Sequence, residues 1–311
     1  MTYEVLQLSP IIPSGEAELH RSFRVCRWYE TPDKERWLID NAASVRAVVT
    51  GGHLGISDEL LERLSELGIV AIAGVGYERV NLETARARGI RVTNTPDVLT
   101  EDVADCAVGL MIATLRRIAA ADRYVRDGRW PEKEMELTTK VWGRRYGIVG
   151  LGRIGRAIAK RLEGFGGTIG YTSRDIKPSP YAFYNSVLEL ARASDILVLT
   201  VAGGPVTRHM VGREILDALG PAGFLINVAR GSVVDEAELV AALRDGRLGG
   251  AGLDVYAGEP NVPQELLTMP NVTLTPHIGS ATVDARTAMA RVMLSNLDAF
   301  FAGKPLPTPV C

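Results

Sequence analysis

Three polar residues that could bind a carboxylate and move a proton follow predicted strands in the second half of the chain: Arg230, Glu259 and His277. Arginine offers a planar fork of donors that matches a carboxylate and can also reach an adjacent keto oxygen. Histidine can give or take a proton near neutral pH. A carboxylate against its second ring nitrogen would hold the ring and favour its protonated form. Taken singly, an ion pair for Arg230 or Glu259 and an ordinary loop histidine for His277 are equally good interpretations.

The elements that would position these residues are organised around the glycine-rich stretch 146–155, YGIVGLGRIG. Gly150, Gly152 and Gly155 have the G-x-G-x-x-G spacing, after a short apolar strand and before a helix. In that order they would allow a tight turn, close approach of a pyrophosphate, and close helix–strand packing. A second strand predicted at 168–172 completes a βαβ unit. Although such glycines can mark only a turn, this context predicts a dinucleotide site whose phosphates face a helix N-terminus.

The first 98 residues alternate between predicted strands and helices. Apolar β-branched runs predict the strands, polar capping residues predict the helix starts, and glycine predicts the helix ends. Strands are predicted at 45–50, 69–73 and 90–94, and two helices are predicted to begin after Ser57 and Asn81 and to end at Gly68 and Gly89.

Glycine-rich loops follow two of these strands, at Gly51-Gly52-His53 and Gly74-Val75-Gly76. Ligands bind outside the carboxyl ends of strands in open α/β sheets. The alternative is that the glycines only make turns. The sequence therefore offers these loops as a candidate ligand site in the first part of the chain.

One long helix is predicted from Thr100 to about Asp127, with Gly128 as its stop. Its residues 103–112 are apolar almost all round, which is typical of a helix buried on every side, between domains or against a second subunit. We expect a two-fold subunit interface there, the commonest oligomer symmetry. The sequence thus predicts a homodimer.

The second half continues as a doubly wound sheet, and the predicted fold class is α/β, with two Rossmann-like or flavodoxin-like domains, parallel sheets, and the active site in the cleft between them. The substrate-binding domain is predicted to be 1–98 plus 286–311, because a closing helix returns to it, and the dinucleotide-binding domain to be 99–285. Further strands are predicted at 196–201, 224–228, 250–255 and 272–275, and helices at 235–245 and 282–302.

Composition excludes several classes of protein. The net charge of -2 over 311 residues, without a basic tract, argues against a nucleic-acid partner. Three widely spaced cysteines fit a reducing compartment and argue against disulfides or a thiolate metal site. Four histidines without metal-ligand spacing predict no metal. With no signal peptide and no long apolar run, the prediction is a soluble cytoplasmic protein without a membrane partner.

Residues 227–236 (NVARGSVVDE), 251–260 (AGLDVYAGEP) and 275–282 (TPHIGSAT) resemble the three signatures of the D-isomer-specific 2-hydroxyacid dehydrogenases. Together with the glycine motif they occur in the family's order, and the resemblance covers nearly the whole chain. It implies that Arg230 binds substrate, that Glu259 orients and charges His277, and that His277 is the acid/base.

The resemblance also implies the binding residues. Asp254 would contact the nicotinamide carboxamide, and backbone groups of the two glycine-rich loops would hold the substrate carboxylate. The implied substrate-binding residues are Gly51, Gly52, Val75, Gly76, Arg230 and His277, and the implied cofactor-binding residues are Gly150, Leu151, Gly152, Arg153, Ile154, Gly155, Ser173, Arg174, Val201, Thr207, Val228, Asp254 and Gly279.

Residues 93–100 (TNTPDVLT), 102–105 (DVAD) and 305–310 (PLPTPV) resemble the glyoxylate/hydroxypyruvate reductase branch, which includes hydroxyphenylpyruvate reductases. The branch implies reduction of a small 2-keto acid, hydroxypyruvate or glyoxylate, to the D-2-hydroxy acid. The segment 201–204 (VAGG) departs from the family, which usually has a proline before the Gly-Gly of the adenosine-side loop.

Three alternatives stay open: a hydroxyphenylpyruvate reductase, a phosphoglycerate dehydrogenase-like enzyme, and a dinucleotide-sensing corepressor that acts by binding partners. Formate dehydrogenases of the same superfamily have Gln where Glu259 stands, which counts against that activity. Turnover of a keto acid would separate an enzyme from a corepressor.

The second strand of the dinucleotide motif ends just before Ser173-Arg174. An NAD-selective site has an acidic residue there, about twenty residues beyond the glycines, to accept from the ribose 2′-OH. A small hydroxyl leaves room for a 2′-phosphate, and Arg174, with Lys177, can pair with it. Asp175 could weaken the preference. The sequence predicts NADPH as the preferred cofactor, with NADH as the second.

Overall fold

The structure is a computed structural model that describes residues 4–311. The chain divides into two compact units, 4–99 with Ala281–Cys311, and Thr100–Ser280. Each unit contains one sheet in which all strand pairs are parallel. The predicted α/β class with two parallel sheets is confirmed.

The part of the first unit before residue 100 alternates strands and helices, as a parallel sheet requires because each crossover must return the chain to the same edge. Its elements are β1 (Val5–Gln7), α1 (Pro13–Ser22), β2 (Val25–Arg27), α2 (Lys34–Asn41), β3 (Ala47–Gly51), α3 (Asp58–Arg63), β4 (Ile69–Ala73), α4 (Leu82–Ala87) and β5 (Arg91–Thr93).

The five strands lie in the order β2-β1-β3-β4-β5. One face of this sheet packs against α2, α3 and α4 through Leu38, Leu60 and Ala85. The opposite face includes Val49 and Ile69 and packs against Leu19 of α1. The strands are buried on both faces, which explains why they are continuous apolar runs in the sequence.

The predicted caps of α3 and α4 are confirmed, since Ser57 accepts from the backbone N–H of Leu60 at 3.2 Å and Asn81 accepts from that of Thr84 at 3.1 Å. The predicted end of α3 at Gly68 is wrong, because α3 ends at Arg63. The Arg88 side chain donates to the carbonyl of Leu61 and, at 2.7 Å, to that of Leu64. A side chain from a later segment therefore satisfies these carbonyls, and the helix does not continue.

The second unit begins with two helices and continues as alternating strands and helices. Its elements are α5 (Thr100–Leu115), α6 (Ile118–Arg126), β6 (Arg145–Val149), α7 (Arg153–Leu162), β7 (Thr168–Thr172), β8 (Ala182–Phe183), α8 (Val187–Arg192), β9 (Ile196–Leu199), α9 (Arg213–Leu219), β10 (Phe224–Asn227), α10 (Glu236–Arg244), β11 (Gly250–Leu253), α11 (Gln264–Thr268) and β12 (Val272–Leu274).

The seven strands lie in the order β12-β11-β10-β9-β6-β7-β8. The strand that precedes the glycine motif, β6, is therefore central, between β9 and β7. The strands β10, β11 and β12 are neighbours. Because parallel strands end at the same edge of a sheet, the segments that follow these three strands lie side by side.

The prediction of one long helix from Thr100 to Asp127 is wrong. Arg117 has φ 49, in the left-handed region, and separates α5 from α6. The Thr114 hydroxyl donates to the Leu110 carbonyl at 2.7 Å, a contact that often bends a helix. The stop at Gly128 is confirmed, since α6 ends at Arg126 and Gly128 has φ 70.

The last helix, α12 (Val283–Phe301), begins at its cap Thr282, which accepts from the backbone N–H of Ala285 at 3.0 Å. Its residues Met293, Leu294 and Leu297 belong to the apolar cluster on the α1 face of the first unit's sheet. The helix thus completes the first unit. No helix within residues 4–311 is long and apolar enough to cross a membrane.

Candidate active site

The glycine motif forms a tight junction between β6 and α7. Gly150 has φ 101, which an L side chain rarely adopts, so the chain can turn there. A β-carbon on Gly155 would overlap the Gly150 carbonyl oxygen, so the first turn of α7 packs directly on the strand end. A β-carbon on Gly152 would have no heavy atom within 4 Å. The open space therefore lies at the glycine that the motif predicts to face a pyrophosphate.

The N-terminus of α7 is arranged to bind an anion. Gly152 is the N-cap residue and brings no side chain to bond the first N–H groups of the helix. Leu151 is buried, whereas Gly152 and Arg153 are exposed. Unpaired N–H groups and the positive end of the helix dipole favour a phosphate at such a position. The residues present therefore fit the pyrophosphate of a dinucleotide.

On the adenosine side, Ser173 and Arg174 follow the end of β7. The Ser173 hydroxyl donates to the Asp175 carbonyl at 2.6 Å, and Arg174 is exposed. The Asp175 carboxylate lies 3.5 Å from the Lys177 ammonium. Within residues 4–311 no ion pair involves Arg174. The acidic residue is thus paired with a lysine, while the arginine remains available to an anionic ligand.

The loop after β9, where the usual proline is missing, is held by its own hydrogen bonds. The Thr207 hydroxyl donates to the carbonyl of Ala202 at 2.7 Å and to that of Gly204 at 3.3 Å. The loop begins beside the glycine motif, since a β-carbon on Gly150 would lie 2.9 Å from Cγ1 of Val201. Val201 and Thr207 therefore belong to a loop that starts at the predicted phosphate site.

His277 and Glu259 form a hydrogen-bonded pair at the same edge of the sheet. His277 Nδ1 lies 2.7 Å from Oε2 of Glu259, and the second carboxylate oxygen accepts from the backbone N–H of Tyr256 at 3.0 Å. The two side chains are 33% and 24% exposed, in that order, so the pair is partly shielded but reachable.

The pKa of Glu259 is lowered from its ordinary value. Burial acts in the opposite direction and raises this pKa, but hydrogen bonds from His277 and the Tyr256 N–H outweigh it, together with the charges of His277 and Arg230. The carboxylate is therefore ionised at neutral pH and can only accept. Nδ1 of His277 then donates to Glu259, which leaves Nε2 as the ring nitrogen that can exchange a proton.

Asp254 holds the turn that carries His277. Its carboxylate accepts from the Thr275 hydroxyl at 2.7 Å and from the backbone N–H groups of Ile278 and Gly279 at 2.8 Å each. The His277 N–H donates to the Asp254 carbonyl at 2.9 Å, and His277 has φ 55. Asp254 is buried, so these bonds satisfy a charge that would otherwise be costly there. The structure thus places Asp254 and Gly279 together, directly behind the histidine.

Arg230 follows β10 and is the third of the predicted polar residues at this edge of the sheet. Its backbone carbonyl accepts from the buried Asn227 amide at 3.1 Å, and Asn227 Oδ1 accepts from the Ala229 N–H at 3.0 Å. The Arg230 guanidinium donates to the Ala229 carbonyl at 2.7 Å. Val228 is buried within the same segment. Three neighbouring strands, β10, β11 and β12, therefore deliver the predicted arginine, glutamate and histidine.

Comparison with known proteins agrees with this arrangement. The sequence model of the D-isomer specific 2-hydroxyacid dehydrogenase, NAD binding domain, matches residues 108–279. Hydroxyphenylpyruvate reductase of Plectranthus scutellarioides is 50% identical over 307 residues, which are 98% of each chain. Glyoxylate/hydroxypyruvate reductase A of Arabidopsis thaliana is also 50% identical over 307 residues, with the same coverage. The chain belongs to the D-isomer-specific 2-hydroxyacid dehydrogenase family.

A solved structure supports the same assignment. The crystal structure of the NADPH-dependent glyoxylate/hydroxypyruvate reductase from Sinorhizobium meliloti, in complex with NADP and malonate, is 41% identical with a TM-score of 0.93. The match covers 100% of this chain and 97% of the other. This dehydrogenase is therefore an NAD(P)-dependent oxidoreductase, and its cofactor is a nicotinamide dinucleotide.

Two other ionisable groups near Asp254 do not compete with His277. Burial first, and then the charge of Asp254, raise the pKa of Tyr256 to about 12 and that of Cys106 to about 11. Both groups therefore stay protonated at neutral pH. The Tyr256 hydroxyl lies 3.1 Å and 3.0 Å from the carbonyls of Leu253 and Thr275, and it can donate to either. It is a structural group in this dehydrogenase, and Cys106 is not a thiolate nucleophile.

The two predicted carboxylate loops lie together in the first unit. They follow β3 and β4, which are neighbours in the sheet. A β-carbon on Gly52 would lie 2.7 Å from the Gly76 carbonyl oxygen. Within the first loop, the His53 ring lies beside Gly51, because a β-carbon on Gly51 would lie 2.9 Å from Nδ1 of His53. Only glycine at position 52 permits this approach of the two loop backbones in this dehydrogenase. Gly51 and Gly52 lie at the end of β3, and Val75 and Gly76 lie in the loop after β4.

The residues that hold the His277–Glu259 pair were not predicted from the sequence. Tyr256 positions Glu259 through its N–H, and the Glu236 carboxylate accepts from the next N–H, that of Ala257, at 3.0 Å. A β-carbon on Gly231 would overlap the Tyr256 carbonyl group. Tyr256, Glu236 and Gly231 lie within the signature stretches 227–236 and 251–260, but their residue types do not indicate a tertiary contact. Among residues 4–311, no three His, Cys, Asp or Glu side chains lie together as metal ligands would.

Proposed function

We propose that this dehydrogenase reduces hydroxypyruvate or glyoxylate to the D-2-hydroxy acid and prefers NADPH. The observation that carries the proposal is the 2.7 Å contact between His277 and Glu259, beside Arg230, at the edge of a dinucleotide-binding sheet. Reduction of a 2-keto acid needs a proton donor for the keto oxygen and a cation near the carboxylate. These residues supply both. The nicotinamide, when bound, supplies the hydride.

His277 is proposed as the acid/base. Nδ1 is held by the ionised Glu259, so Nε2 protonates the keto oxygen during reduction and accepts the proton in the reverse direction. The Asp254 clamp on the 275–279 turn keeps the ring in place. Arg230 binds the substrate carboxylate with its planar fork and polarises the adjacent carbonyl. The support for each proposed role is the set of donors and acceptors that the chain itself positions.

In the first unit, Gly51, Gly52, Val75 and Gly76 are proposed to bind the substrate carboxylate through backbone N–H groups. The support is the close approach of Gly52 to the Gly76 carbonyl across the ends of β3 and β4, which leaves no room for a side chain at position 52. Concave groups of backbone N–H donors are anion sites. The proposed substrate is accordingly a small acid.

The proposed cofactor contacts extend from the glycine motif to the loop after β9. The first turn of α7, with Gly152, Arg153 and Ile154, would hold the pyrophosphate, and Val201 and Thr207 would flank it. Asp254 and Gly279 would lie at the nicotinamide carboxamide. NADPH preference rests on Arg174, which is exposed after β7 while Asp175 is paired with Lys177. NADH is the expected second cofactor.

A panel of four acids tests the substrate: glyoxylate, hydroxypyruvate, pyruvate and 4-hydroxyphenylpyruvate, each with NADPH and with NADH. We expect hydroxypyruvate or glyoxylate to have the highest kcat/KM. Pyruvate as the best substrate would place the activity elsewhere in the family. Absence of turnover with all four acids, despite dinucleotide binding, would favour the corepressor alternative.

A hydroxyphenylpyruvate reductase is the second candidate. The relative from Plectranthus scutellarioides that bears this name is as identical to the chain as the Arabidopsis thaliana glyoxylate/hydroxypyruvate reductase. The two activities differ in the size of the group attached to the keto carbon. A kcat/KM that is highest for 4-hydroxyphenylpyruvate in the same panel would select this candidate.

A homodimer is also proposed, with residues 103–112 as one predicted part of its interface. Val103, Ala107 and Leu110 of α5 are buried within the second unit, whereas Val108 and Ile112 are only half-buried in the single chain. Further support lies in α6, which has no buried residue. A nine-residue helix is marginal in water unless it packs against something. Exposed apolar side chains on α6 and the segment after it are Ile118, Val125, Trp130, Leu137 and Trp142.

The proposed location is the cytoplasm. The support is that Cys26, Cys106 and Cys311 are all free thiols in the structure. Free thiols persist where glutathione and thioredoxin keep them reduced. Activity that fractionates with cytoplasmic marker enzymes is the expected result, and activity in a secreted fraction would contradict it.

A further inference from the structure

We propose that Glu236 is a positioning residue that holds the 256–259 turn, so that Glu259 meets His277. Glu236 touches neither substrate nor cofactor in the proposed function, on which this inference rests. It acts through Glu259. Nothing in its residue type or in the comparisons assigns it this role.

The contacts form a chain that leads from α10 to the acid/base. The Ala257 N–H donates to Oε1 of Glu236 at 3.0 Å, and the preceding N–H, that of Tyr256, donates to Oε1 of Glu259 at 3.0 Å. The other oxygen of Glu259 then meets His277 at 2.7 Å. Consecutive backbone donors of one turn are therefore held by two carboxylates, and one of these carboxylates belongs to the acid/base pair.

The same segment that carries Arg230 supplies Glu236. Gly231, which follows the arginine, contacts the Tyr256–Ala257 peptide so closely that a β-carbon would overlap it. The short helical turn Gly231–Val233 and the cap Asp235 then lead into α10. The segment after Arg230 thus contacts the start of the 256–259 turn twice, through Gly231 and through Glu236. Glu236 fixes the position of the turn relative to the arginine.

Stabilisation of α10 does not explain the hydrogen bond that the Glu236 carboxylate forms. The cap of α10 is Asp235, whose carboxylate accepts from the Glu238 N–H at 3.2 Å. Glu236 is at the first position of the helix, where an acidic side chain also interacts with the helix dipole. Its carboxylate, however, bonds an N–H outside the helix. A control for the dipole effect is available in Glu214, an exposed residue in the first turn of α9.

Loss of this contact should affect geometry more than stability. Ala257 is exposed, so water can bond its N–H if Glu236 is removed. The 256–259 turn then gains freedom, and Glu259 spends less time against His277. Burial raises the pKa of Glu259, whereas the charges of His277 and Arg230 lower it. Burial also raises the pKa of the adjacent Tyr256, and the charges of Asp254, Glu259 and Glu236 raise it further. A displaced Glu259 therefore changes the charge that His277 experiences.

The test compares E236A, E236Q and E214A in the full-length enzyme. Reduction needs a proton from His277, whose ring Glu259 holds in place. We expect E236A to lower kcat by about 10- to 100-fold, the scale of a small misplacement. E236Q retains an acceptor oxygen and should restore most of the activity. E214A should match the parent.

Imidazole NMR makes the test independent of turnover. With four histidines in the chain, the ring signals of His277 can be assigned from single variants. The Nδ1–H signal should move in E236A, return in E236Q and stay in place in E214A. Parent-like kcat and ring signals in E236A would overturn the inference, as would equal effects of E236A and E214A. If the parent reduces no 2-keto acid but the His277 ring signal still moves in E236A, the proposed function is wrong and the positioning role of Glu236 stands.

Discussion

The Nδ1 nitrogen of His277 lies 2.7 Å from Oε2 of Glu259, at a point where the His277 backbone has φ 55. A positive φ is uncommon outside glycine and directs the side chain away from the path of an extended segment. The Asp254 carboxylate stabilises this turn from behind. The His277–Glu259 pair is thus fixed by backbone geometry as well as by its own hydrogen bond.

Replacement of His277 by alanine should lower kcat by about two to four orders of magnitude, the usual effect of losing a general acid. Dinucleotide binding, measured by fluorescence titration, should stay near the parent value because the glycine motif is untouched. His20→Ala, on α1 of the first unit, is the matched control. Parent-like turnover in His277→Ala would remove this residue from its proposed role.

The lowered pKa of Glu259 predicts a pH dependence of stability. In the unfolded chain this carboxyl has its ordinary pKa of 4.5, so the folded state gains from it at higher pH and loses that gain as pH falls through the lower, folded pKa. Tm should therefore fall more steeply below about pH 4.5 in the parent than in Glu259→Gln. Thermal melts between neutral pH and about pH 3 measure the difference. A gap between the two proteins that widens toward acid would contradict the prediction.

Two glycines of the dinucleotide motif should respond differently to alanine. Gly152→Ala meets no neighbouring atom, so Tm should be unchanged, while affinity for the dinucleotide falls because the methyl group occupies the phosphate space. Gly155→Ala overlaps the Gly150 carbonyl, so it should destabilise the fold by about 1–3 kcal/mol. Gly164→Ala, also with open space, is the control. Unchanged dinucleotide affinity in Gly152→Ala would show that the pyrophosphate does not lie there.

A Ser173→Asp, Arg174→Ala double variant should reverse the cofactor preference. Loss of a charge-assisted contact costs about 1.5–3 kcal/mol, or roughly 10- to 100-fold in the efficiency ratio of NADPH to NADH. Steady-state kinetics with both cofactors measure this ratio. Arg192→Ala, an exposed arginine of α8, should leave it unchanged. A parent that prefers NADH, or a variant with an unchanged ratio, would show that these residues do not recognise the 2′-position.

The dimer is tested by sedimentation at micromolar concentration. We expect a mass twice the chain's 33.6 kDa, and dissociation in Leu137→Glu, since that side chain is 98% exposed in the single chain. Withdrawing a buried leucine from an interface costs about 1.5–3 kcal/mol. Ile39→Glu, an exposed isoleucine of α2, is the control. A monomer mass for the parent would defeat the proposal.

Local signals predicted most of the fold. The strands β4 and β7 match their predicted ranges, and Ser57 and Asn81 cap the helices that they were expected to cap. These features depend on neighbours in the sequence, namely apolar runs and capping side chains, so a single sequence contains the information. The glycine motif belongs to the same class, because its spacing determines its turn.

Features that depend on distant residues could not be predicted in this way. The end of α3 is set by Arg88, and the break between α5 and α6 occurs at Arg117, a residue type that does not mark a left-handed position. In the site, the residue types of Arg230 and His277 pointed to chemistry. The support from Gly231 and Glu236 became visible only when β10 and β11 were placed side by side.

The return of α12 to the first unit has a consequence for synthesis on the ribosome. Met293, Leu294 and Leu297 cover the face of the sheet that contains Val49 and Ile69, yet roughly 180 residues of the second unit are made in between. At about 5–20 residues per second, that interval lasts about ten to forty seconds. During it, the nascent first unit exposes the part of this apolar sheet face that α1 does not cover. A chaperone that binds apolar surface would therefore act on the chain at this stage.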